Sequence, residues 1–558
     1  MSSAREKLVK GGLIGGVGVG IYGVYSYLEK NKLKRTALSE AYDYIIVGGG
    51  TSGCVLASRL SEDPSVTVLV LEAGDSDQNE PKIHVPAAAF ELQRTQVDWA
   101  FVSEPNKELN GRASRWPRGK VLGGSSCLNW MLWVRGHPAD WDAMERLHGC
   151  EGWGYRGVEE HFRSAERVSF EVPDPAARGH EGPVHLQQIA SPNHYSGLWM
   201  DAAQQSGLPL QADYNSGSMF GCSVSQLAIK AGKRVSAASA YLHDTGALQR
   251  PNLHVKCGVH VTRVLFEGSP PRAVGVEYQQ AGQPRSVKQY VLAQREVAVC
   301  AGAVQSPQLL MLSGVGDREE LAEQELDCLA HLPGVGKNLQ DHVFVPLMQH
   351  ATKPLTMDMG AFDKLLALTQ YLLTRSGPAS SQALECMAFL NSAALPAIDQ
   401  ALPVPPVASS LAPDLQLHFV CAGASNPYAM ENLGYPKEFN ADVALGISTL
   451  PTLLHPKSTG TIRLDSPDPF AAPVIDPNYL SHPDDLDLLV KGVKLARRIH
   501  SSGVFQGFLG AEAIDPDLAN RHHPLSDDYI REYVRKTAVT VYHPGMVFYQ
   551  PKDKASHF

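Results

Sequence analysis

The hydrophobic pattern opens with a short apolar, β-branched run, Tyr44–Val47, that stops at a cluster of glycines. Continuous apolarity over so few residues predicts a strand buried on both faces. A helical pattern over 53–60 and a second apolar run, Thr67–Leu71, predict a strand–helix–strand unit. Helical periodicity returns at Val158–Arg167 and, as a well-formed amphipathic pattern, at Asp485–Ile499. From Leu253 the pattern turns strand-like, with runs LHVKCGVHVTRVLFEG, AVGVEYQQ and SVKQYVLAQREVAVCAG that predict hairpins. The last run, buried at Glu296–Cys300, leads into a turn and helix over Gly302–Gly316. Leu415–Val420 and Val443–Leu450 predict strands of a second sheet, and Pro396–Pro413 is proline-rich, a surface loop or lid edge. No internal repeat is visible. The pattern predicts an α/β chain: a Rossmann-like dinucleotide-binding domain intertwined with a sheet-and-helix (α+β) domain.

The glycines after the first strand are spaced G-x-G-x-x-G at Gly48, Gly50 and Gly53. Gly48 permits the tight turn, Gly50 lets backbone approach a pyrophosphate, and Gly53 lets the helix pack close to the strand. Thr51 and Ser52 open that helix, whose N-terminal amides point at phosphate. The second strand ends at Glu72 and Ala73, and Glu72, 19 residues past Gly53, can accept both ribose hydroxyls of an adenosine. Strand, helix, strand and acid in this order specify dinucleotide binding far better than the glycines alone.

At 558 residues the chain exceeds one ordinary core. Hydrophobic content of 44% with 19% charge describes a folded globular protein. A net charge of −9 argues against nucleic acid as partner. Nine cysteines lie singly between Cys54 and Cys421 with no C-x-x-C pair, which disfavours a disulfide scaffold and a metal site and suits a reducing compartment. Residues 11–28, GGLIGGVGVGIYGVYSYL, carry no charge and are flanked by Arg5, Lys7, Lys10 and by Lys30, Lys32, Lys34, Arg35. This length is near the lower limit for a membrane-spanning helix, so a membrane anchor is expected there; basic residues at both ends leave its orientation open.

Several separated motifs together resemble the glucose-methanol-choline (GMC) oxidoreductase family. They are GKVLGGSSCLNWMLWVRG over 119–136, GAVQSPQLLMLSGVG over 302–316, RVSAASAYL over 234–242, PGVGKNLQDH over 333–342, Pro413–Gln416 and His543-Pro544. The likeness spans about Tyr42 to His543 and is strongest to the choline-dehydrogenase-like branch. It implies FAD as cofactor. Gly48, Gly50, Gly53 and Glu72 would hold the ADP half, Val121, Gly124 and Asn129, Trp130, Met131 and Leu132 would line the flavin, and Val261 would touch the adenine side. Some members tether FAD through a histidine one residue before the asparagine; Leu128 stands there, so the resemblance implies non-covalent FAD. Residues 1–40 are then a leader, 41–342 mainly the FAD domain with substrate-domain excursions at about 150–230, 343–480 mainly the substrate domain, and 481–558 a return towards the FAD domain.

The implied reaction is oxidation of a small, choline-like alcohol, with hydride passing to flavin N5 and electrons to a quinone or electron-transfer acceptor. His543, in VYHPG, takes the position of the family's active-site histidine, a base suited to neutral pH. Glu385, in LECMAF, falls where choline-type relatives place a glutamate facing a quaternary ammonium. The hydrophobic leader suits a member of the mitochondrial inner membrane. Other alcohol or sugar oxidases and dehydrogenases, or a photodecarboxylase, share the fold. After His543-Pro544 the family's continuation, with its second active-site Asn or His, does not follow; GMVFYQPKDKASHF does. The ending therefore reads as truncated or alternative, with weakened FAD retention and slow or absent turnover as the expected cost.

Overall fold

The computed structural model describes residues 38–189, 192–353, 361–395, 411–422 and 446–547. β1 (Ala41–Val47), α1 (Thr51–Leu60) and β2 (Val68–Leu71) form the predicted strand–helix–strand unit. The strands pair in parallel, Ile45 beside Leu69 and Val47 beside Leu71. All four residues of β2 are buried, the signature of a strand covered on both faces. The first sheet has six strands in the order Leu253–Lys256, β2, β1, Gln289–Val299, Arg272–Gln280 and Val259–Glu267. The first four are mutually parallel; two antiparallel hairpin pairings complete the edge. The run from Leu253 is thus two strands, not one. Gly258, at φ +74°, turns the chain between them, and they take different partners, β2 for the first and Arg272–Gln280 for the second.

The second sheet is antiparallel and runs Leu509–Glu512, Leu347–Ala351, Gly446–Leu453, Leu415–Val420, Leu384–Leu390 and Gly221–Val224. Every residue of its three strands Leu384–Leu390, Leu415–Val420 and Gly446–Leu453 is buried. One face packs on the helices His194–Gln205 and Pro483–His500, through Trp199, Phe419, Leu495 and Ile499. A short strand, Val343–Phe344, pairs with Thr452–Leu453 on one side and Val539–Thr540 on the other. It brings the chain's last described segment against the second sheet.

Among the described residues no helix is long and apolar enough to cross a membrane. The longest, Pro483–His500, is the amphipathic helix expected from its pattern, with Asp484, Asp485, Arg497 and Arg498 at its ends. The segment 11–28, the 548–558 ending, residues 396–410 of the proline-rich stretch and residues 443–445 of the expected strand Val443–Leu450 lie outside the described residues.

Gly53 sits inside α1, where an added Cβ would lie 2.0 Å from the Gly48 carbonyl oxygen. Gly197 sits inside the helix His194–Gln205, where an added Cβ meets nothing within 4 Å. Gly53→Ala is therefore expected to lower stability by about 1–3 kcal/mol through overpacking. Gly197→Ala is expected to raise it by about 0.5–1 kcal/mol through the unfolded chain's lost freedom. Chemical denaturation of the two variants checks the opposite signs.

Candidate functional site

Two adjoining cavities, of about 400 and 470 Å³, share Arg118 and Ser125 in their walls. The first is built on the β1–α1 turn. Gly48, Gly50, Thr51, Ser52, Glu72, Ala73, Gly124 and Val261 all line it. No side chain caps α1, whose N-cap is Gly50, so the first-turn amides are left to an anion in the cavity. Glu72 accepts the amides of Gly49 and Gly74, each at 2.7 Å, and so clasps the turn to the segment after β2. Burial pushes its carboxyl up to about 7. Each oxygen keeps a lone pair for a ribose hydroxyl. Two of the expected residues stand behind the wall. Gly53 packs α1 on the turn, and Val121 is fully buried with Ile83, Leu92, Val97 and Cys127.

The second cavity collects Asn129, Trp130, Met131 and Leu132 with His543. Arg234 rivets this loop. Its guanidinium donates to the Asn129 carbonyl at 2.6 Å, to the Asn129 side-chain oxygen at 2.7 Å and to the Ile83 carbonyl at 2.8 Å. Further along, the buried Glu166 carboxylate receives Trp133 Nε1 at 2.6 Å and Arg135 at 2.6 and 2.8 Å. Both ends of the loop are thereby fixed by charge-assisted bonds.

His543 is held from behind by Asp341. One carboxylate oxygen accepts the His543 amide at 2.9 Å; the other accepts Tyr479 and Thr540 hydroxyls, each at 2.5 Å. Burial raises the Asp341 carboxyl to about 6. Tyr542 takes a left-handed φ of 66°, and Arg118 donates to its carbonyl at 2.5 Å. The His543 residue is exposed, and it opens onto this cavity. Burial, then the like charges that His342, His418 and Arg118 would present, depress its pKa well below the ordinary range, so it is neutral at pH 7. His342 Nδ1 lies 3.1 Å from His543 Nδ1. His342, His418 and His455 also line this cavity. None of the three was singled out from the sequence, although the motif PGVGKNLQDH ends on His342 and His418 stands two residues beyond Gln416.

Glu385 is not brought to either cavity. It is buried, and one oxygen accepts the Asn193 amide and the Ser196 hydroxyl, both at 2.6 Å, at the start of the helix His194–Gln205. A register irregularity between Leu384 and Cys386 turns it to the helix side, while Leu384 and Phe389 face the cavity. A carboxylate spent on a helix N-terminus cannot also face a substrate cation on the other side of the sheet. No cluster of metal-ligating residues occurs among the described residues.

A parallel dinucleotide sheet, an anion-ready helix terminus and a neutral histidine beyond the flavin loop define a flavin-dependent oxidoreductase. The chain belongs to the GMC oxidoreductase family, whose N-terminal model matches residues 42–344 and C-terminal model residues 456–546. Its cofactor is FAD. It is 39% identical to an uncharacterised GMC-type oxidoreductase of Mycobacterium tuberculosis, over 92% of this chain and 90% of that one. It is 36% identical to the mitochondrial choline dehydrogenase of Mus musculus, over 91% of this chain and 80% of that one. It is equally, 36%, identical to an alcohol dehydrogenase (acceptor) of Pseudomonas putida, over 92% and 87%. Among solved structures, formate oxidase of Aspergillus oryzae RIB40 superposes with a TM-score of 0.80 at 26% identity, covering 92% of this chain and 89% of that chain. Pyridoxine 4-oxidase from Mesorbium loti gives 0.74 at 29%, covering 90% and 88%. The expectation of a mitochondrial inner-membrane protein is overturned. The described helices include no span, and mycobacterial relatives share more identity than the mitochondrial one.

His500, which lines neither cavity, gives an acid-stability test. Its ring bonds Thr449 Oγ1 at 2.8 Å and Gln349 Oε1 at 3.0 Å, and burial lowers its pKa to about 3. The unfolded chain takes up that proton first, so stability present above about 6.5 is lost as pH falls towards 3. Glu72 and Asp341 carry the opposite sign: their raised pKa values favour the folded state at low pH, a contribution lost as pH rises through about 7 and about 6. His500→Gln is expected to flatten the fall in Tm between about pH 7 and 4. An unchanged slope would show that His500 does not contribute to it.

Proposed function

We propose that this chain oxidises an uncharged, apolar alcohol, with FAD held non-covalently. The observation that carries this reading is the wall facing His543. Phe90, Trp130, Phe344, Phe389, Leu450 and Leu454 line it. The carboxylate on that wall among the described residues is Asp140, and it is engaged: it pairs with His455 at 2.9 Å and accepts the His137 amide at 3.3 Å. The same wall carries Arg118, whose hydrogen bonds go to the uncharged carbonyls of Pro117 and Tyr542, and its charge disfavours a cationic substrate. Leu128, on that wall, offers FAD no nucleophile.

Bound FAD supplies the hydride acceptor. His543, neutral at pH 7, takes the hydroxyl proton as the substrate's O–H bond breaks. Apolar neighbours exclude water and strengthen the charge interactions of the developing alkoxide. The names of the Mus musculus and Pseudomonas putida relatives support a dehydrogenase that passes electrons to a separate acceptor, which in this proposal is a quinone or electron-transfer partner.

A second reading keeps a choline-like substrate. The Phe90 and Trp130 rings, edge to face with centroids 4.0 Å apart, offer π surface to a quaternary ammonium. Anaerobic titration of the FAD-loaded protein with benzyl alcohol, 1-octanol and choline separates the two by bleaching of flavin absorption. The neutral alcohols are expected to exceed choline in kcat/KM by about tenfold or more; the reverse order sinks the proposal. His543→Ala is expected to cost about 10²–10⁴-fold in kcat/KM with flavin content retained.

A further inference from the structure

We propose that His342 is the positioning residue that holds His543 as its Nδ1–H tautomer, and so presents an unprotonated Nε2 to the substrate cavity. The inference rests on the reading of His543 as the proton acceptor.

Two like nitrogens, His342 Nδ1 and His543 Nδ1, stand 3.1 Å apart, with ring planes at 77°. One must donate and the other accept. Both rings are neutral at pH 7, since burial lowers the His342 pKa to about 4 and pushes that of His543 well below its ordinary range. The direction of the bond follows from the ring's other partner, the backbone carbonyl of Leu454, which can only accept and which works against the effect of burial on this ring. With Nδ1 turned to His543, that partner falls to Nε2, which keeps its proton. A neutral ring protonated at Nε2 has a bare Nδ1. His543 must then donate from Nδ1, and its own Nε2 is left with a lone pair.

The other charged groups around the pair are already committed. His418 turns its Nδ1 to Thr452 Oγ1 at 3.2 Å, and His455 is paired with Asp140. Arg118 donates to the carbonyls of Pro117 and Tyr542. Asp341 takes the His543 amide and two hydroxyls. Adjacent residues of one turn therefore grip His543 twice, Asp341 by its backbone and His342 by its ring. When His543 gains the substrate's proton at Nε2, its Nδ1–H already points at a bare nitrogen, and the new positive charge is stabilised by that bond.

The test compares His342→Leu with His342→Asn in the FAD-loaded enzyme. Asparagine can place a carbonyl oxygen where Nδ1 stood and accept the same N–H; leucine cannot. His342→Leu is expected to lower kcat on the order of 10–100-fold with KM within about threefold, and to move the pH profile of kcat/KM. His342→Asn is expected to recover most of the loss. Thermal melts and flavin content separate these effects from failed folding. A second measurement needs no turnover: histidine ¹⁵N NMR of the resting enzyme, with the His543 signals assigned by their disappearance in His543→Ala. Nδ1–H at His543 in the native enzyme, with Nε2–H gained in His342→Leu, supports the proposal. Nε2–H at His543 in the native enzyme overturns it, as does His342→Leu with native kcat and pH profile. Should no alcohol reduce the flavin while His543 still shows Nδ1–H, the functional reading fails and the assigned hydrogen bond stands.

Discussion

Everything at the site hangs on one backbone-to-backbone contact. A Cβ at Gly124 would lie 2.7 Å from the Gly50 Cα, so only glycine lets the second glycine loop lie on the β1–α1 turn. The contact is supported by the Gly123 amide donating to the Gly49 carbonyl at 2.7 Å. It joins the two cavities. The turn presents helix amides to the first, and five residues past Gly124 the same loop reaches Asn129 and the wall of the second. Steric exclusion fixes this geometry more sharply than any single attraction does, because a methyl group has nowhere to go.

The opposite wall depends on a buried carboxylate. Asp341 is 4% exposed, and an unpaired carboxylate at that depth would be costly. Its three donors come from two places far from it in the chain, Tyr479 and the turn that carries Thr540 and the His543 amide. Next to it, Val343–Phe344 is sandwiched between Thr452–Leu453 and Val539–Thr540. Satisfying one buried charge thus ties the second sheet to the segment that carries His543, and the same turn supplies His342.

The nucleotide half was legible in the sequence because its determinants are local. Glycine spacing, a strand on each side and an acid after the second strand all fall within one unit of about thirty residues. Glu385 shows where such reading stops. Whether a strand residue faces the cavity or the helices depends on pairing register, and one irregularity beside it reverses the answer. The Leu253 run shows a related limit: alternation persists through Gly258, and only the pairing shows that its two halves take different partners, β2 and Arg272–Gln280. The histidine pair was invisible for want of locality. His342 and His543 are 201 residues apart, and no spacing rule links them.

Substrate polarity and histidine chemistry are linked through the same dielectric. The apolar wall that suits an uncharged alcohol is also what keeps His543 and His342 neutral, since burial is the largest cause of both depressed pKa values. A cavity built for a quaternary ammonium would place a free carboxylate on this wall, and that charge would raise the histidines and cost the site its unprotonated base at lower pH. With Glu385 on the other side of the sheet and Asp140 committed to His455, the rings keep the environment that a neutral substrate leaves undisturbed. Proton acceptance then depends on hydrogen-bond direction within the pair, not on a nearby acid, and for that reason the ring next to His543 matters as much to its chemistry as the wall in front of it.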